Sequence, residues 1–82
     1  MSFYGKTIVK ATGCTEQEAA EAEEVMRNDL FHSTLDWQPA GLFDKAARLA
    51  VKIVRGERVP RAVSVAIERG TPVAGLIPSL RG

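Results

Sequence analysis

Apolar residues recur along much of this chain at spacings of three and four, the repeat of one face of an α-helix. The clearest stripe consists of Ala19, Ala22, Met26 and Leu30, with Val25 beside it. Thr15 is a suitable N-cap ahead of that stripe, and Glu18 three residues later completes the capping-box pattern. The pattern therefore predicts an amphipathic helix that begins after Thr15.

The longest predicted helix covers about residues 37–55. Pro39 fits its first turn, and Gly56 is placed to end it. Two adjacent apolar lines run along it: Leu42, Ala46, Leu49 and Ile53 form one, and Phe43, Ala47, Ala50 and Val54 form the other. An apolar face this wide is typical of a helix packed on several sides, so we expect this helix to be central.

Two shorter helices complete the prediction. One runs from about Ser2 to Thr12 and ends at Gly13, and the other opens at Pro60 and closes at Gly70. No segment alternates strictly between apolar and polar residues with turn signals on both sides, so we predict no sheet. The expected fold is all-α: a small bundle of three to five short helices around the central helix.

The 82 residues predict one helical domain over 1–70, followed by an apolar tail over 71–82 that contains proline and glycine. Val73, Leu76, Ile77 and Leu80 are the apolar residues of the tail. They either fold back onto a thin core or form an arm that reaches a second subunit or a partner.

Composition excludes several classes of protein. A 45% hydrophobic and 26% charged content is ordinary for a folded chain and too balanced for a disordered one. No apolar run approaches the roughly 20 residues that span a bilayer, and the N-terminus lacks the pattern of a secretory signal. Cys14 is the single cysteine and cannot form an internal disulfide. We therefore expect a cytoplasmic protein without membrane contact.

The net charge of +1 hides two oppositely charged halves. Residues 1–44 carry three basic and eight acidic residues, a net −5, whereas residues 45–82 carry eight basic and two acidic residues, a net +6. Such an asymmetry favours either pairing between the halves, within one chain or in a homodimer, or a charged partner.

The positive charge forms what we call the basic stripe: Lys45, Arg48, Lys52 and Arg55 on one face of the central helix, extended by Arg58 and Arg61. This stripe suits a nucleic-acid backbone or an acidic protein surface. The alternative is a solvated helix face, paired in part with the acidic helix. The stripe has no interleaved aromatic residues, which single-strand binders use for base stacking.

The negative charge is concentrated on the helix after Thr15, where the candidate partner-binding residues are Glu16, Glu21, Glu23 and Glu24. A glutamate-rich face can dock on a basic partner or occupy a basic groove meant for nucleic acid. It can equally be a solvated face built from good helix formers.

Two segments have a helix-turn-helix character. The first turns at Gly13, but its second helix would present glutamates to DNA phosphates, which repel them. The second runs from Lys45 through Gly56 to Arg69 and has the right charge, although its spacing matches the motif poorly. Its outer face would be lined by Arg61, Ser64, Val65 and Glu68.

We predict no catalytic, metal or cofactor site. His32, Ser33 and Asp36 are the residue types of a catalytic triad, but residues this close together on one loop do not normally reach the hydrogen-bonded arrangement that a triad needs. Helix capping explains these residues better. One histidine and one cysteine do not supply a tetrahedral metal shell. Trp37 is either a core plug or, if exposed, an apolar anchor for a partner.

The stretch EEVMRNDLFHSTLDWQ, residues 23–38, resembles a segment of small uncharacterised proteins encoded by phages and other mobile elements. The resemblance covers about a fifth of the chain and implies a small accessory protein that acts on host machinery, such as an inhibitor of host defence. Together with the separated charge, it leads us to expect a non-enzymatic protein that binds a protein partner and acts by occlusion. The alternative is a small nucleic-acid-binding regulator that uses the basic stripe and the turn after it.

Overall fold

The structure is a computed structural model that describes residues 3–32, 35 and 40–77. It contains α1 (Phe3–Thr12), α2 (Glu16–Val25), a π-helix (Met26–Phe31), α3 (Ala40–Val54) and α4 (Arg61–Arg69). Among these residues there is no strand, which confirms the predicted all-α fold of short helices. α3 contacts α1, α2 and the π-helix, and α2 likewise contacts α1, α3 and the π-helix, so the two helices share the middle of the bundle.

The turn between α1 and α2 follows from its sequence. Gly13 has a φ of +73°, a left-handed conformation that costs glycine little, and its N–H donates to the carbonyl of Val9 at 2.7 Å. Thr15 Oγ1 then accepts from the N–H of Glu18 at 3.1 Å, and Glu18 Oε1 accepts from the N–H of Thr15 at 2.9 Å. The predicted capping box is thus confirmed.

The stripe after Thr15 is buried as predicted, but it does not lie on one continuous α-helix. α2 ends at Val25, and the chain continues as a π-helix to Phe31. The wider π turn places residues five apart on one face, so Met26 and Phe31 are both buried. A regular α-helix would turn the second of these residues away from the first. His32, in the left-handed conformation with a φ of 57°, follows the π-helix.

α3 begins at Ala40 in the described part of the chain, so residues 37–39 of the predicted central helix lie outside the description. Its buried residues are Phe43, Ala46, Ala47, Ala50 and Val51. Leu42, Leu49 and Ile53 are only partly buried, so the deepest part of the face lies on the line of Phe43. The small alanines there allow α1 and α2 to approach α3 closely.

α4 begins one residue later than predicted, because Pro60 is its N-cap residue rather than its first turn. Gly70 closes the helix with a φ of +70°. Beyond it, Val73 and Ile77 are buried in the core. The N–H groups of Val73 and Ala74 both donate to the carbonyl of Leu30, at 2.7 and 3.0 Å. Residues 73–77 are thereby joined to the end of the π-helix.

Candidate interaction surfaces

The acidic and basic halves of the chain meet at one ion pair. Arg55 donates from Nε to Glu18 Oε2 at 2.7 Å and from Nη2 to Glu18 Oε1 at 3.1 Å. These two hydrogen bonds, together with the N–H of Thr15, lower the pKa of Glu18 to about 2. The same contact raises the pKa of Arg55. The Glu18 carboxylate therefore completes the capping box of α2 and also binds Arg55, the residue that follows α3.

The rest of the basic stripe is exposed. Arg48 pairs with Asp44 one turn earlier, with 3.1 Å between Nη2 and Oδ2, yet its side chain remains 63% exposed. The other exposed cations, which form no ion pair within the described residues, are Lys45, Lys52, Arg58 and Arg61. The stripe is thus partly paired within the chain and otherwise open to solvent.

The four acidic candidates on α2 also include both paired and unpaired residues. Glu23 is half-buried, and its Oε2 lies 3.1 Å from Arg27 Nη2. Glu16, Glu21 and Glu24 are exposed, and within the described parts of the chain none of them has an ionic partner. Three carboxylates on α2 therefore remain available to another molecule.

One side of α3 forms a groove with the end of α1, which we call the basic groove. It encloses about 230 Å³ and carries Arg48, Lys52 and Arg55 together with Glu57. Ala11, Thr12 and Val51 complete its lining. The positive charge is reduced, since Arg55 is bound to Glu18 and also lies 3.9 Å from Glu57. Arg48 and Lys52 give the groove its remaining attraction for anionic groups.

A second depression, the acidic groove, lies between the α2–π-helix segment and the end of α3. It encloses about 410 Å³, and its carboxylates are Glu21, Glu24 and Asp29. The partly buried Val25, Ile53 and Val54 supply its apolar lining, with Asn28 beside them. Carboxylates beside aliphatic side chains suit a segment that carries both cationic and apolar residues.

The remaining sequence candidates contribute little to these surfaces. Trp37, the proposed apolar anchor, lies outside the described residues, as do Ser33 and Asp36. His32 is exposed. Cys14 is buried, and its N–H donates to Thr12 Oγ1 at 3.3 Å. Across residues 3–32, 35 and 40–77, no three metal-ligating side chains cluster.

Sequence reasoning missed two features of this surface. It did not foresee that Glu18 would bind Arg55, 37 positions away, because the capping pattern only assigns Glu18 a local role. It also left out Asp29 and the aliphatic lining of the acidic groove. Asp29 could have been found from its distance of five and eight residues from Glu24 and Glu21, but only if the π-helix had been recognised.

In the part of the chain that the structure describes, no helix has the length and apolar character needed to cross a membrane. Comparisons with protein-family models, with curated proteins and with solved structures find no match to this chain.

Proposed function

We propose that this is a non-enzymatic accessory protein that binds another protein through its charged helix surfaces and acts by occlusion. The observation that carries this proposal is the separation of two exposed surfaces of opposite sign on either side of α3, the basic groove and the acidic groove. In the setting that the phage-like segment implies, the partner is a host protein, such as a component of host defence.

The contact with that partner centres on exposed cations that the fold does not need. Arg48 keeps most of its side chain in solvent, and Arg58 lies in the turn after α3 without an ion pair among the described residues. Arg55 is different, because its bidentate contact with Glu18 makes it part of the structure. Charge complementarity with an acidic partner surface speeds association and selects the partner.

The test compares Arg48→Glu/Arg58→Glu with the wild type as bait in host lysate, with captured proteins quantified by mass spectrometry. Lys6→Glu/Lys10→Glu is the matched control, because it removes the same charge from exposed positions on α1. A captured protein is then purified and titrated against all three baits. We expect the Arg48/Arg58 variant alone to lose affinity, by about tenfold or more. Equal binding by all three baits would contradict the proposal.

A second candidate function, a small nucleic-acid-binding regulator, rests on Lys45, Lys52, Arg58 and Arg61, which are exposed and without ion pairs within the described residues. Phosphate contacts of this kind release counterions, so the affinity falls steeply with salt. Anisotropy titrations with labelled duplex and single-stranded DNA and RNA, at two salt concentrations, separate the candidates. Salt-sensitive binding that Arg58→Glu weakens would favour the regulator, and no binding at low salt would exclude it.

A further inference from the structure

The acidic groove combines carboxylates with aliphatic side chains, so it suits an occupant that is both cationic and apolar. Glu21, Glu24 and Asp29 line it together with aliphatic side chains, and no ion pair within the described residues neutralises these three carboxylates. Val25 and Ile53 are only partly covered by the fold. The matching surface presents cations on either side of an apolar side chain.

α3 carries such a surface on its solvent-facing edge. Lys45, Leu49 and Lys52 are spaced four and three residues apart, so they lie along one edge of the helix. Both lysines are exposed, and Leu49 between them is partly buried. The edge spans about 10 Å at the α-helical rise of about 1.5 Å per residue. We call Lys45, Leu49 and Lys52 the lysine edge.

The lysine edge borders the acidic groove on the same molecule, because Leu49 of the edge and Ile53 of the groove lie one helical turn apart on α3. Neighbouring patches of opposite sign form a self-complementary surface. In a two-fold symmetric dimer, each patch of one copy contacts the oppositely charged patch of the other, so the same contact forms twice. We propose that the occupant of the acidic groove is the lysine edge of a second copy of this chain. Lys45 and Lys52 of each copy face Glu21 and Glu24 of the other, with Leu49 against the aliphatic lining.

This inference does not depend on the proposed function. The proposed contacts involve neither Arg58 nor Arg61, which lie beyond α3, so the dimer would present each of these two arginines twice to an external partner. Two linked copies of a weak site gain avidity when a partner can engage both.

The test is a charge exchange between two variants, followed by sedimentation equilibrium from about 10 µM to about 1 mM protein. Glu21→Lys/Glu24→Lys reverses the groove, and Lys45→Glu/Lys52→Glu reverses the lysine edge. We expect each variant alone to associate at least about tenfold more weakly than the wild type, because like charges then face each other. An equimolar mixture restores association, since both contacts of the mixed dimer again join opposite charges.

The control is Lys6→Glu/Lys10→Glu, which has the same net charge as the lysine-edge variant and should dimerise like the wild type. Circular dichroism shows whether each variant is folded. A wild type that stays monomeric at every concentration would overturn the proposal and leave the groove to a cationic segment of another protein. Reversals without effect, or a mixture that fails to associate, would overturn it as well.

A measurement on the wild type alone covers the case in which a variant does not fold. Amide shifts of the labelled protein are followed by NMR as it is diluted at about 50 mM and about 500 mM salt. We expect concentration-dependent shifts in residues 21–29 and 45–53 that shrink at the higher salt. Shifts confined to other residues, or none, would contradict the proposed interface.

Discussion

Arg55 and Glu18 stand 37 positions apart in the sequence and form a bidentate ion pair, with 2.7 Å between Nε and Oε2 and 3.1 Å between Nη2 and Oε1. Glu18 also accepts from the N–H of Thr15, so this pair ties the start of α2 to the end of α3. The chain's opposite charges are thus paired internally at this point, while Glu21, Glu24, Lys45 and Lys52 remain available for contacts outside it.

The first prediction concerns the stability of the protein at low pH. The pKa of Glu18 is lowered from 4.5 to about 2 in the folded protein, so its charged form favours folding. That contribution is fully present above about pH 5 and is lost as the pH falls toward 2. We expect Glu18→Gln to lower the free energy of unfolding at pH 7 and to flatten its dependence on pH between 5 and 2. Urea unfolding at pH 7, 5 and 3 measures this. Parallel pH profiles for the two proteins would contradict it.

The second prediction concerns the cap of α2. Thr15→Ala removes the hydroxyl that accepts the N–H of Glu18, and we expect it to reduce the free energy of unfolding by about 1 kcal/mol. Thr15→Asp keeps an acceptor at the same position and should retain most of the stability. Chemical denaturation of both variants checks this, and equal losses for both would rule out the cap as the cause.

The third prediction concerns the segment after α4. Ile77 is 1% exposed, whereas its neighbour Leu76 is 39% exposed. We expect Ile77→Ala to cost about 2–5 kcal/mol, because it leaves a cavity in the core. Leu76→Ala is the matched control and should change the stability by less than about 0.5 kcal/mol. Similar thermal midpoints for the two variants would mean that residues 73–77 do not pack as described.

The fourth prediction concerns the turn after α3. Gly56 has a φ of +72°, and an added Cβ would meet nothing within 4 Å. The cost of Gly56→Ala is therefore conformational rather than steric, and we expect a loss of about 1–2 kcal/mol in the free energy of unfolding. Gly41→Ala provides the comparison, because Gly41 lies in α3, where alanine favours the helix and an added Cβ is equally free. A loss of stability in the Gly41 variant that equals that of Gly56→Ala would contradict this reasoning.

Local signals were sufficient for most of the helical architecture. The glycines at 13, 56 and 70 each adopt the left-handed conformation expected after a helix, and the capping box at Thr15 forms as predicted. The π-helix was not predictable in this way. Met26 and Leu30 are spaced four residues apart, as on an α-helix, so the stripe gives no sign of the wider turn that also buries Phe31.

The candidate surfaces were predictable only in part. The sequence placed the cations of α3 on one exposed face, because helical spacing determines which residues share a face. It did not show which of them would find a partner, since the contacts of Arg55 depend on how α2 lies beside α3. The acidic groove was missed for the same reason, because it combines residues from α2, the π-helix and α3.

The carbonyl of Leu30, which accepts the N–H groups of both Val73 and Ala74, has a consequence for the order of folding. Its partners lie more than forty residues further along the chain, so closing this contact loses more chain entropy than the local helical turns do. The turns of α2 close over only a few residues, so we expect the segment around Val73 to dock after α2 and the π-helix have formed. Amide hydrogens of Val73 and Ala74 should therefore become protected from exchange later than those of α2 during refolding.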